Sequence, residues 1–240
     1  MDLRWCSSGP ALDALAADRV AALLTRQPTA TLALPTGLTP LGLYAELVSR
    51  VSAGGLSFAR SRLFNLDEYV GRGADDALSY AHYIRRYLAE PAQVPRAQLR
   101  LLQGDAADLR AECRAYDLAI AAAGGLDLAI LGLGENGHIA FNEPGTAWHT
   151  TTHIAMLCAS TRAANAKHLP HGAQVPARGM TMGIATLRAA RAILLLVTGD
   201  SKRRALAALQ SGVPDLAWPV TALADHPQLT VLADAGLSAP

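Results

Sequence analysis

Short runs that are apolar at nearly every position alternate with longer stretches of helical periodicity along the whole chain, and this alternation leaves few folds open. Strands are expected at 31–34, 63–66, 126–131, 192–197 and 229–232. Their continuous apolar character is that of strands covered on both faces. Helices are expected at 11–24, 41–51, 80–89, 106–122 and 202–210. The order predicts an α/β architecture: an open, mainly parallel, doubly wound sheet, Rossmann-like, with helices on both faces and right-handed crossovers. No repeat, charge block or low-complexity linker divides the 240 residues, so 1–240 is read as a single domain. Pro170, Gly172 and Pro176 mark the stretch 168–178 as a candidate lid within 160–180, with a plain surface connection as the alternative.

Composition narrows the function classes. A formal charge of +1 gives no bulk attraction to nucleic acid or anionic lipid, so any anion must be bound by local groups. Cys6, Cys113 and Cys158 are odd in number and lack metal-type spacing, which fits free thiols in a reducing compartment. The opening Met1-Asp2-Leu3-Arg4-Trp5 does not read as a signal peptide, and no apolar stretch is long enough to span a bilayer. A cytoplasmic protein without nucleic-acid or membrane partners is expected.

In an open parallel sheet the ligand sits at the carboxyl ends of the strands. Four strand ends here carry informative residues. Pro35-Thr36-Gly37-Leu38-Thr39-Pro40 joins a strand to a helix; Pro40 suits the first turn and Thr39 the N-cap position. Its free amides suit a phosphate, although Thr, Gly and Pro also make ordinary turns of this kind. The GKS or GKT ending of a Walker A loop is missing. Asn65-Leu66-Asp67-Glu68-Tyr69 places two carboxylates after an apolar strand. They read either as a tuned general base or as a helix cap beside a solvated Glu.

The third is Gly132-Leu133-Gly134-Glu135-Asn136-Gly137-His138, followed by Ile139-Ala140-Phe141-Asn142-Glu143-Pro144-Gly145. It satisfies G-x-G-x-x-G, but Pro144 and Gly145 stop the segment where a dinucleotide-binding turn would open a long helix. What remains is His138 beside Asn136 and Glu143, the makings of a proton-transfer unit at neutral pH. The fourth, Thr198-Gly199-Asp200-Ser201-Lys202, repeats the strand–turn–helix logic with Lys202 as a point charge. Arg162 is a candidate for a second, forked phosphate contact. The remaining histidines have no ligand-like spacing and there is no H-E-x-x-H or Cys-x-x-Cys, so no metal is expected. No G-x-S-x-G elbow is present.

In this order, the segments resemble the glucosamine-6-phosphate deaminase family. The likeness is carried by Leu34-Pro35-Thr36-Gly37 with Thr39-Pro40, Asn65 to Gly71, and the Gly-His-Ile-Ala-Phe-Asn-Glu-Pro block ending at Pro144. Thr161-Arg162 with Ala164-Asn165, Met180 to Ile184, and Gly199 with Ser201-Lys202 extend it over nearly the whole chain. The resemblance implies a cofactor-free isomerising deamination of an amino-sugar phosphate. By that likeness His138, held by Asn136 and Glu143, opens the sugar ring. Asp67 moves the C2 proton towards C1, and Thr36, Gly37, Leu38, Thr39, Arg162 and Lys202 hold the phosphate.

Several positions depart from the family pattern. Asn136 stands where many relatives carry Asp, Leu38 is bulkier than the usual residue, and Thr150-Thr151-Thr152 replaces a Ser-Arg-Thr run. The end at Pro240 points to a monomer or small homo-oligomer without amino-sugar-phosphate activation. The competing readings are a galactosamine-6-phosphate deaminase, a 6-phosphogluconolactonase-like hydrolase and a non-catalytic sugar-phosphate sensor.

Overall fold

A computed structural model describes residues 1–167, 170 and 173–238. The strands run β1 (Asp2–Cys6), β2 (Thr31–Leu34), β3 (Arg62–Asn65), β4 (Asp67–Tyr69), β5 (Leu99–Arg100), β6 (Leu128–Gly132), β7 (His153–Met156), β8 (Arg178–Thr181), β9 (Ala192–Val197) and β10 (Leu229–Asp234). The helices are α1 (Gly9–Arg26), α2 (Pro40–Ser52), α3 (Tyr80–Ile84, continued by a wider π turn through Arg85–Ala89), α4 (Leu109–Ala122), α5 (Ala159–Ala166), α6 (Ile184–Arg188) and α7 (Arg203–Ser211). Seven strands form one sheet in the order β1-β10-β9-β6-β2-β3-β5, and every neighbouring pair is parallel. β4, β8 and β7 form a separate antiparallel sheet, which the sequence reading did not anticipate.

The period of two along a strand explains how both faces come to be covered. Leu32, Leu34, Leu128, Ile130, Leu194 and Leu196 pack on one side with Leu12 and Val20 of α1 and Leu43 and Leu47 of α2. The alternate residues Ala33, Ala129, Leu131, Ile193, Leu195 and Val197 pack on the other with Tyr116 of α4, Leu187 of α6 and Leu206 of α7. A one-residue slip of any central strand would exchange these sets, so the register is strongly specified.

Helix ends follow local chemistry. Ser8 accepts from Ala11 N–H at 3.3 Å, with Pro10 in the first turn of α1, and Asp108 accepts from Arg110 and Ala111 N–H at 2.9 Å each to start α4. Among the described residues no helix is long and apolar enough to cross a membrane.

Chain order runs outward in two directions from the middle of the sheet, β2 to β3 to β5 on one side and β6 to β9 to β10 on the other. Adjacent β2 and β6 therefore flank a topological switch point, where the loops beyond two parallel strands diverge and leave a crevice. The four informative strand ends follow β9, β6, β2 and β3, which are consecutive in the sheet.

Candidate active site

A cavity of about 440 Å³ opens over this switch point. Thr36, Gly37, Leu38 and Thr39 after β2, Asp67 after β3, Asn136 and His138 after β6, and Thr198 and Lys202 after β9 all line it. Groups up to 166 positions apart in the chain are thus brought to one wall-to-wall space by strand order alone.

The loop after β2 is held from behind. Tyr44 donates its hydroxyl to Pro35 O at 2.5 Å and Tyr83 donates to Gly37 O at 2.6 Å. With these carbonyls engaged, the N–H groups at the start of α2 remain to face an anion. Thr39 differs from its expected role: its side chain caps nothing and instead meets the Thr198 hydroxyl at 3.1 Å. That contact joins the two loops read as phosphate cradles. Lys202 lies on the same wall, 3.8 Å from Glu135, with burial holding its ammonium below the usual lysine range.

The backbone turns after Asn65, whose Nδ2 donates to Asp67 O at 2.7 Å. Leu66 N–H still bonds to Leu34 O, whereas Met182 N–H reaches Leu66 O, so the chain leaves the main sheet here and enters β4. Neighbouring residues of a strand face opposite ways, and this separates the two acids. Glu68 faces inward, where its carboxylate accepts N–H groups from Tyr69, Tyr80 and Ala81 at 2.7–2.9 Å and holds the first turn of α3. It is fully buried, not solvated, and burial raises its pKa to about 7 against the lowering by those three donors. Asp67 faces the cavity and is 6% exposed. Its Oδ1 has no hydrogen-bond partner, and burial, with Glu68 beside it, pushes its pKa well up. An unpaired, desolvated carboxylate lining a cavity is disposed to take up a proton.

The segment after β6 folds back on itself, with Gly134 N–H donating to His138 O and Gly137 N–H to Gly134 O. Two of its glycines make room for aromatic rings. A Cβ on Gly134 would lie 2.3 Å from the His138 ring, and one on Gly137, at φ +82°, would lie 2.7 Å from Trp218. Asn136 Nδ2 donates to Glu143 Oε2 at 2.8 Å, which turns Asn136 Oδ1 towards His138 Nδ1 at 2.7 Å. A carboxylate only accepts, so the amide has one sensible orientation and His138 Nδ1 must carry the proton. In the neutral ring Nε2 is then the basic nitrogen. Burial lowers the His138 pKa most; Glu143 and Glu135 raise it and Lys202 lowers it further.

Arg162 does not join this group. It lies on α5, where Thr161 is 3% exposed and its hydroxyl is 3.4 Å from His138 Nδ1. The next residue of a helix is rotated by about 100°, so Arg162 faces solvent while Ser160, Thr161, Ala164, Asn165 and Lys167 line the cavity. Lys167 lines the cavity as Lys202 does, and neither it nor Tyr80 was singled out from the sequence, whereas Thr161, Asn165 and Thr198 were seen there only as parts of motifs. Asn165 donates to Tyr69 OH at 2.8 Å, and Tyr80 OH donates to Tyr69 OH at 3.0 Å. Leu38 is 59% exposed at the rim, so its bulk does not fill the cradle. In the candidate lid, 159–166 is helix and 178–181 strand, whereas His168, Leu169, His171 and Gly172 lie outside the described residues. Among the described residues no three His, Cys, Asp or Glu side chains form a cluster suited to a metal ion.

Comparison with known proteins places this geometry among relatives. The family model described as glucosamine-6-phosphate isomerases/6-phosphogluconolactonase matches residues 9–232. The glucosamine-6-phosphate deaminase of Shouchella clausii (strain KSM-K16) is 44% identical over 211 residues, 88% of this chain and 85% of that one. That of Bacillus velezensis (strain DSM 23117 / BGSC 10A6 / LMG 26770 / FZB42) is 41% identical over 234 residues, 98% and 97% of the two chains. A solved monomeric glucosamine-6-phosphate deaminase matches with a TM-score of 0.96 and 37% identity over 99% of each chain. The 6-phosphogluconolactonase from Trypanosoma cruzi matches at 0.77 with 20% identity, over 99% of this chain and 95% of that one, a likeness of fold alone.

Proposed function

The chain belongs to the glucosamine-6-phosphate deaminase family, and from that premise we propose that it converts glucosamine 6-phosphate and water into fructose 6-phosphate and ammonia. The observation that carries the reading is the meeting of an unpaired, buried carboxylate, Asp67, with an oriented imidazole, His138, around one cavity that the loop before α2, Lys167 and Lys202 also line.

In this mechanism the phosphate lies against the loop 36–39, Thr198, Lys167 and Lys202. A dianion there restores Lys202 towards its ordinary pKa and fixes the sugar at its non-reacting end. His138 Nε2 takes the anomeric hydroxyl proton and returns it to the ring oxygen, opening the pyranose. Asn136 Oδ1 steadies the Nδ1 proton throughout, and Glu143 balances the transient imidazolium through Asn136. Asp67 then removes the C2 proton of the open chain, leaving a planar enolamine, and delivers it to C1. Water adds to the resulting C2 imine, and collapse of that adduct expels ammonia and leaves the ketone. A carboxylate with a raised pKa suits both directions of the transfer, because its acid and base forms lie close in free energy.

The reading is tested by following ammonia and ketose formation with glucosamine 6-phosphate and galactosamine 6-phosphate side by side. Ammonia from the glucosamine substrate, in step with fructose 6-phosphate, is expected. Tight binding of both epimers without ammonia would leave a sensor, and hydrolysis of 6-phosphogluconolactone instead would make it a lactonase. A monomer is the proposed assembly, as in the solved deaminase described as monomeric.

A further inference from the structure

The proton-transfer chain is gripped from outside its own loop. Glu143 Oε2 is occupied by Asn136, whereas Oε1 accepts the backbone N–H of Cys158 at 3.1 Å. Burial, with the charge of Glu143 nearby, pushes the Cys158 thiol pKa up, so the thiol stays protonated and able to donate. Cys158 immediately precedes α5, at φ −58°, and its side chain makes no cap to that helix. One turn further on, Thr161 reaches His138 Nδ1. The beginning of α5 therefore touches both ends of the His138–Asn136–Glu143 chain, and the same helix leads into Asn165 and Lys167 on the cavity wall.

We propose that Cys158 is a positioning residue for ring opening: its N–H and thiol fix the Glu143 carboxylate so that Asn136 presents Oδ1 to His138, and they tie that chain to the helix leading to Lys167. The inference rests on the ring-opening role given to His138. A carboxylate with a donor on each oxygen has one orientation, and any donor it loses leaves its charge less spread. The charged groups around His138 are Glu143, Glu135 and Lys202. Of these, Glu143 is the one that Cys158 touches. Removing a donor from Glu143 strengthens its attraction for the imidazolium and moves the His138 titration to higher pH. The base form then becomes scarcer at mildly acidic pH.

Three variants separate the contributions. Cys158→Ala deletes the thiol and keeps the N–H. Cys158→Pro deletes the N–H at a φ that proline adopts. Cys158→Ser supplies a stronger donor in place of sulfur. In the full-length protein labelled with ¹⁵N-histidine, the His138 resonance, assigned with His138→Gln, is titrated in each variant alongside the pH profile of ammonia release. The expected result is a midpoint raised by a few tenths of a pH unit in Cys158→Ala and by at least as much in Cys158→Pro. The acid limb of kcat/KM should shift in step, and Cys158→Ser, with the stronger donor, should lie at or below the wild-type midpoint. An unchanged His138 midpoint in a normally melting Cys158→Ala protein overturns the inference, whatever becomes of the proline variant. The titration needs no turnover, so a wild type that releases no ammonia would sink the deaminase reading and leave the coupling to be judged by itself.

Discussion

Replacing Gly134 by alanine tests the imidazole cradle at a single methyl group. The added Cβ would sit 2.3 Å from His138 Cε1 and Nδ1 and 2.5 Å from Cγ, where ordinary contact begins at 3.4 Å. The backbone at Gly134 is not in the left-handed region, so alanine brings no conformational penalty and the fold should persist. The ring must retreat, and Asn136 Oδ1 at 2.7 Å and Thr161 Oγ1 at 3.4 Å both crowd its Nδ1. Relief comes only by swinging the imidazole about 1 Å off its line to the sugar, a misplacement that costs on the order of 100-fold in rate. In activation free energy that is about 2.7 kcal/mol. Steady-state ammonia release should show the fall in kcat, with KM changed little because the phosphate loops are untouched. Thermal melting and circular dichroism serve as the folding control. A folded Gly134→Ala enzyme within about threefold of wild-type kcat/KM would refute the claim that this glycine places the imidazole.

Asp67→Asn should lower kcat by about 10²–10⁴-fold by removing the base, yet stabilise the protein at pH 8. Its folded-state pKa is raised, so the wild type loses stability as pH climbs from the unfolded value through the folded one. The melting advantage of the variant should therefore vanish below about pH 4, where aspartate is protonated in both states. Glu68 adds to the same trend: a rise from 4.5 to about 7 is worth about 3 kcal/mol, so the wild type should unfold at lower denaturant at pH 8 than at pH 5. An equal or opposite pH dependence would contradict the burial account of both acids. Lys202→Ala and Lys167→Ala should each raise KM for the sugar phosphate by about 10–100-fold. Arg162→Ala should stay within about twofold, since it is exposed and off the cavity wall.

What the sequence disclosed follows from where the chemistry is local. β2 and β9 are apolar at nearly every position because both faces are covered, and their bounds could be read directly as 31–34 and 192–197. β1 was missed because it is an edge strand with mostly exposed side chains, and β4 because Asp-Glu-Tyr has no strand signature of its own. Its pairing with β8, more than a hundred residues away, makes it a strand. The His138 group was legible because Asn136, His138 and Glu143 lie within eight residues and their spacing already implied a turn. The meeting of that group with Asp67 is a property of strand order, which residue patterns reach only through resemblance. That Lys167 and not Arg162 lines the cavity has the same kind of cause. A cation can be seen in the sequence, but its helix phase depends on which side chain, here Thr161, is pressed against the core.

Glucosamine 6-phosphate deuterated at C2 probes the meeting of Asp67 and His138 most directly. With the full-length wild type, ammonia and fructose 6-phosphate should appear in equal amounts. The label should leave C2 for C1 or solvent, and both signals should collapse in Asp67→Asn and His138→Gln. Ammonia formed at the wild-type rate by Asp67→Asn, or no ammonia from either epimer while the sugar phosphate still binds, would contradict the meeting of carboxylate and imidazole on one sugar.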